Sequence, residues 1–198
     1  MRLLHLVDRL DSRRQGPRRA IEELALAHPS LVVAGVTAAD LALPCEVLRL
    51  GELASVTARA VSPTLDALTA AFAPDALLLH SSVNAEALAF VARRRGAIVV
   101  RDLRAFHPER AVSRTAASVA PSRPQLCDAC FDEAPYFRAI RDAARTRVAS
   151  LEGAGLLLVA SPEDAAELAS VGVMAPIEVV ADLSDGAALL SRYARGLT

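Results

Sequence analysis

Four stretches of the sequence carry side chains whose types and spacing suit chemistry. The densest is Asp102, Arg104, His107 and Glu109, directly after the apolar run Ile98 to Val100. An imidazole titrates near neutrality, so His107 could position or deprotonate a hydroxyl, and a desolvated Asp102 carboxylate could do the same. The same four residues also suit a local Arg–carboxylate network. The second stretch is His80, Ser81 and Ser82, polar groups that close the apolar run Ala76 to Leu79. They suit hydrogen bonding to a ligand hydroxyl; Ser81 or Ser82 equally suits the N-cap of a following helix. The third joins Arg13, Arg14, Gly16, Arg18 and Arg19 at a helix start. Helix N-termini and guanidinium forks bind phosphate, and the alternative is a solvated arginine face. The fourth, Cys127-x-x-Cys130, is half of a four-cysteine zinc site. No second pair exists in the chain, so no metal is assigned and the two read as thiols in a loop.

Composition excludes several other chemistries. All 22 basic residues are arginine, which removes a catalytic lysine, a Schiff base and a P-loop lysine. The formal net charge of −1 gives no pull toward nucleic acid or an anionic membrane. Tryptophan is absent and aromatics make up 4% of residues, too few for a surface that stacks single strands. No apolar run is long enough to span a bilayer, and Arg2 precedes only the short run Leu3 to Val7 before Asp8, which is no signal peptide. Three cysteines, an odd count, point away from a disulfide framework and toward a reducing, cytoplasmic setting. At 198 residues the chain can bury one sizeable core.

The elements that must position these residues alternate. Arg2 to Val7 reads as a first buried strand and Asp8 to Gln15 as a charged loop. Gly16-Pro17 then opens a helix that runs to about His28, with proline where its missing N–H costs little. Leu31 to Thr37 is a second strand and Glu46 to Leu50 a short edge strand. Val61, Leu65, Leu68 and Phe72 recur at helical spacing. Ala76 to Leu79 and Ile98 to Val100 are buried strands flanking a helix over Asn84 to Arg95, which Gly96 stops. Residues 111–135 hold Pro121, Pro124 and Pro135 and read as a loop-rich insertion. Helices follow over Tyr136 to Leu151 and from an N-cap at Ser161 to near Gly172, with the strand Leu156 to Ala160 between them. Ile177 to Val180 is a last strand. Asp185 to Arg195 reads either as a terminal helix or as the start of an interdomain linker. The alternation predicts an α/β class: a Rossmann-like, doubly wound, mostly parallel sheet with helices on both faces. Ligands of such sheets bind beyond the carboxyl ends of the strands, where the first two polar clusters fall.

The order of segments resembles the N-terminal domain of family 4-type glycosyltransferases, one half of a GT-B architecture. The resemblance rests on Leu3 to Leu26, on P-D-A-L-L-L-H-S-S (Pro74 to Ser82), on V-V-R-D-L-R-A-F-H-P-E (Val99 to Glu109) and on G-A-G-L-L-L-V-A-S-P-E-D-A-A-E-L (Gly153 to Leu168). It implies a single acceptor-side domain over residues 1–198, with the C-terminal, donor-binding domain of that family absent. It implies transfer of a sugar from a nucleotide-sugar donor to a hydroxyl acceptor, without a metal or other cofactor. It assigns His107 and Asp102 to the catalytic face, His80, Ser81, Arg104 and Glu109 to the substrate, and Arg14 with Gly16 to the donor phosphates. The chain departs from the pattern at Gln15-Gly16, which keeps one glycine of a usual pair, at Ala105 in place of an aspartate, and at Ala181-Asp182 in place of an Asn-Gly turn. These departures also suit a second reading: a non-catalytic ligand-binding module, paired with a second copy or with a partner subunit. A dinucleotide enzyme is disfavoured by the lack of G-x-G-x-x-G after the first strand.

Overall fold

The structure, a computed structural model, describes residues 1–10, 15–55, 61–106 and 135–196. Its centre is a seven-stranded sheet: β1 (Leu3–Leu10), β2 (Ser30–Thr37), β3 (Glu46–Arg49), β4 (Ala76–Ser81), β5 (Ala97–Val99), β6 (Leu156–Val159) and β7 (Ile177–Val179). The strand order is β3-β2-β1-β4-β5-β6-β7, and every neighbouring pair is parallel. Six helices among the described residues connect and cover it: α1 (Gln15–Ala27), α2 (Val61–Phe72), α3 (Ala85–Arg93), α4 (Pro135–Ser150), α5 (Pro162–Ser170) and α6 (Gly186–Gly196). This is the doubly wound α/β architecture that the alternation of apolar runs predicts.

Side chains alternate across each strand, so one strand feeds two cores. Leu4, Leu6, Leu77, Leu79, Leu157 and Val159 join Leu65 of α2, Leu88 and Val91 of α3 and Leu168 of α5. Leu3, Leu78, Leu156 and Leu158 face the other way, onto Ala20 and Leu24 of α1 and Leu189, Leu190 and Tyr193 of α6. Burial on both faces is why the strands read as unbroken apolar runs. The helices α1 and α6 approach closely at Gly186, where a Cβ would lie 2.5 Å from the Ala20 carbonyl oxygen. Its amide donates to Glu23 Oε2 at 3.0 Å.

Three expectations change. The charged loop expected from Asp8 is strand as far as Leu10, because pairing with β2 continues to Leu10↔Thr37 and Leu10 is fully buried. The stop after α3 falls one residue earlier than Gly96, with Arg95 taking the left-handed φ of 53°. The N-cap of α3 is Asn84 rather than Ser81 or Ser82: its side chain accepts from Ala87 N at 3.0 Å, while Ser82 Oγ accepts from Asn84 N. Ser161 caps α5 as its sequence requires, accepting from Asp164 N at 3.1 Å.

The two caps differ in consequence. Asn84 is fully buried and also donates to the carbonyls of Glu52 and Ser55, tying the short helical turn Gly51–Ala54 to α3. Ser161→Ala is expected to cost about 1 kcal/mol, the ordinary value of a cap. Asn84→Ala loses the cap and both carbonyl contacts and is expected to cost about 2 kcal/mol. Urea unfolding of the two variants at one pH checks the order.

Candidate functional site

The chain leaves β1 toward β2 and β3 on one side and builds β4 to β7 on the other. The carboxyl ends of β1 and β4 therefore form the topological switch point, where open α/β sheets bind ligands. Two polar residues lie near the ends of those strands, Asp8 of β1 and Ser81 of β4. Asp8 of β1 is 6% exposed, and Ser81 Oγ of β4 donates a short hydrogen bond to its Oδ1. The strand β4 reaches this position through a bulge: pairing with β1 jumps from Leu6↔Leu79 to Val7↔Ser81, leaving His80 unpaired. A bulge beside a strand end re-aims the side chains that follow it.

Beyond these ends lies a cavity of about 300 Å³, at the small end of the range for small-molecule sites. Asp8, Ser81, Ser82 and Val83 line it from β1 and β4, Val100, Arg101 and Asp102 from the end of β5, and Phe106 and Arg147 complete it. Arg101 is fixed by backbone: Nε donates to His80 O at 3.2 Å, and Nη2 makes a short bond to Leu183 O. Arg147, from α4, donates Nε to Val83 O and Nη1 to Ala105 O, both at 3.0 Å. It thereby joins the loop after β4 to the turn after β5. Burial lowers the pKa of its guanidinium.

The sequence-derived candidates separate into three groups. Ser81 and Asp102 come together on the cavity wall. His80 does not reach it; its side chain is fully buried in the sheet, with Nε2 3.0 Å from His5 Nδ1. This corrects the expectation that His80 faces the cleft: two residues on from Leu78, it lies on the sheet face that it shares with Leu78 and His5. Gly16 lies in the first turn of α1, where an added Cβ would be 3.0 Å from Arg101 Nη1, so the start of α1 and the end of β5 do meet. Arg104 contributes its backbone to the turn Leu103–Ala105, and its side chain lies outside what is described. Arg14, His107, Glu109, Cys127 and Cys130 lie outside the described residues, as does the insertion up to residue 134. Among the described residues, no three or more His, Cys, Asp or Glu side chains group to hold a metal ion.

Two contributors escape a reading by motifs. Asp8 looks like the start of a charged loop; the signal is a carboxylate two residues before the buried Leu10 of the same strand. Arg147 falls on the apolar stripe of α4 that Ala144 and Leu151 continue, and an arginine in a buried stripe is the mark of a specific contact.

The buried imidazoles form a chain with an assigned proton order. Ser30 Oγ donates to His28 O at 2.9 Å, so at 3.3 Å it accepts from His5 Nε2–H. His5 Nδ1 is then the acceptor for His80 Nε2–H, and His80 Nδ1 carries a buried lone pair with no hydrogen-bond partner among the described residues. Burial, then His28, pushes the His5 pKa down to about 3. Burial, then His5 and Arg101, holds His80 well below the usual range.

Comparisons with known proteins show this much. No protein-family model matches the sequence, and no curated relative matches it. Among solved structures, the crystal structure of TcCGT1 in complex with UDP overlays with a TM-score of 0.47 and 12% identity, over 91% of this chain and 51% of that one. The chain thus spans about half the length of that structure. The class that the strand order and the switch-point cavity define is a Rossmann-like α/β domain. No helix among the described residues is long and apolar enough to cross a membrane.

Proposed function

We propose that this chain is the acceptor-side domain of a glycosyltransferase of GT-B architecture, in which a separate donor-binding domain supplies the nucleotide sugar. One observation carries the reading. The two strands whose sequences resemble the family end on a single cavity, through Ser81 of P-D-A-L-L-L-H-S-S and Asp102 of V-V-R-D-L-R.

The geometry suggests how the acceptor is held. Ser81 spends its proton on Asp8, so its oxygen lone pairs are left to accept from an acceptor hydroxyl. A hydroxyl so held turns its own lone pair toward the incoming sugar. In the transfer step the anomeric carbon breaks its bond to the diphosphate, which leaves with the electron pair. The acceptor oxygen forms the new bond. Its proton passes to Ser81 as the serine proton passes to Asp8. Asp102, and His107 beyond it in sequence, remain the proposed catalytic-face groups, with Arg104 and Glu109 on the acceptor. Gly16, in the first turn of α1, and Arg14 before it in sequence are proposed to face the donor phosphates, where a helix N-terminus suits an anion.

The test is release of nucleoside diphosphate from a panel of nucleotide sugars, with hydroxyl acceptors, by the protein that carries this domain together with its donor-binding partner. Ser81→Ala is expected to lower kcat/KM for the acceptor about tenfold, the worth of one hydrogen bond to a charged pair. Acceptor binding without turnover of any nucleotide sugar would sink the transferase reading and leave the binding module.

A further inference from the structure

The cavity contains a cation, Arg147, whose partners among the described residues are only neutral. Arg147 spends two of its N–H groups on the carbonyls of Val83 and Ala105, and the remaining donors belong to a side chain that lines the cavity. A guanidinium has five donors and does not deprotonate in proteins, so a partly buried one without a carboxylate is incomplete. The carboxylate of Asp8 lines the same space but is engaged by Ser81 on the β1–β4 side, whereas Arg147 enters from α4. The cavity therefore brings together two groups of different character. One is a Ser–Asp pair suited to a hydroxyl; the other is an arginine fork suited to an oxyanion.

We infer that the molecule seated here is a small hydroxylated compound carrying an oxyanion, a phosphate or a carboxylate, with the anion on Arg147 and a hydroxyl on Ser81. This deepens the proposed function by naming the class of acceptor, and it rests on that reading only for the word acceptor. The volume of about 300 Å³ admits a compound of monosaccharide size, and Val83, Val100 and Phe106 supply apolar wall beside the polar groups. Burial already works against the charge on Arg147, and an oxyanion would relieve that cost.

The experiment needs only the 198-residue chain with ¹⁵N-labelled arginine. Inorganic phosphate, malonate and chloride are titrated in turn at one ionic strength. The Nε–H signal of Arg147 is followed, assigned by its loss in Arg147→Lys. The expected result is a saturating shift with phosphate or malonate, at a concentration at least tenfold below any response to chloride; the stronger of the two names the anion. Arg147→Gln is expected to abolish saturable binding, and Arg147→Lys to retain it in the amide spectrum. Equal responses to all three anions, or shifts that bypass Arg147, overturn the inference, even if Arg147→Gln fails to fold. The measurement uses no donor, so anion binding without sugar transfer retires the transferase reading alone. Transfer with a silent Arg147 retires this one.

Discussion

Gly155→Ala is expected to cost about 4 kcal/mol, among the largest losses a single methyl can cause. Gly155 precedes β6 and lies against the turn between α3 and β5. A Cβ built there would sit 2.2 Å from the Arg95 carbonyl oxygen and 2.7 Å from its carbonyl carbon. Both obstacles are backbone, so no rotamer change makes room. The turn cannot recede either, since Arg95 holds a left-handed φ of 53° and Gly96 is itself packed against the Leu77 carbonyl. For a domain of this size the melting midpoint should fall by roughly 10 °C or more. Gly51→Ala is the control: an added Cβ there meets nothing within 4 Å, and its expected effect is within about 0.5 kcal/mol. A Gly155→Ala protein that melts within two or three degrees of the parent would mean that the two turns are not in contact.

The second large effect is acid lability from the buried imidazoles. His5 and His80 are neutral in the fold, and both folded-state pKa values lie below the ordinary 6.5. The unfolded chain therefore binds more protons than the folded one at any pH from about 6.5 down toward 3 for His5, and stability must fall with pH across that window. The stability is fully present above the unfolded value and is lost as acid pulls protons onto the unfolded chain. Between pH 7 and pH 5 the loss is about 2 kcal/mol for His5, and His80 adds to it in the same direction. Against a total of roughly 5–15 kcal/mol this is a large share. Urea unfolding at the two pH values reads it directly. The double variant His5→Leu, His80→Leu removes both partners of the bond at once and should flatten the dependence. A parent protein equally stable at pH 7 and pH 5 would show that at least one ring is charged in the fold.

The architecture was legible because parallel strands buried on both faces leave unmistakable apolar runs. Ala76 to Leu79, Ile98 to Val100 and Leu156 to Ala160 each mark a strand to within two residues at either end. Helix starts with local chemistry, such as Ser161-Pro162, were legible for the same reason: cap and first turn are neighbours in sequence. What resisted reading depends on contacts far apart in the chain. Asp8 is held in a strand by pairing with β2, and charge alone argued for a loop. His80 was expected in the cleft because strand-end polar groups point there; it lies on the sheet face of Leu78, where the pairing of β4 with β1 brings His5 beside it. Asn84 displaced Ser81 and Ser82 as the cap because its amide also reaches Glu52 and Ser55, more than 25 positions away. Of the site, Ser81 and Asp102 could be found from strand ends. Arg147 carried only the signal of its place in the apolar stripe of α4; its role was legible only once Val83 and Ala105 were placed beside it.

The central claim is that the cavity between β1, β4 and β5 is where this domain holds a small hydroxylated molecule. The most direct measurement is the amide spectrum of the chain as a panel of monosaccharides and their phosphates is added. The account predicts saturable shifts concentrated at Asp8, Ser81 to Val83, Arg101 to Phe106 and Arg147, lost together in Ser81→Ala with Arg147→Gln. Saturable shifts confined to another surface, or none with any compound of the panel, would contradict it.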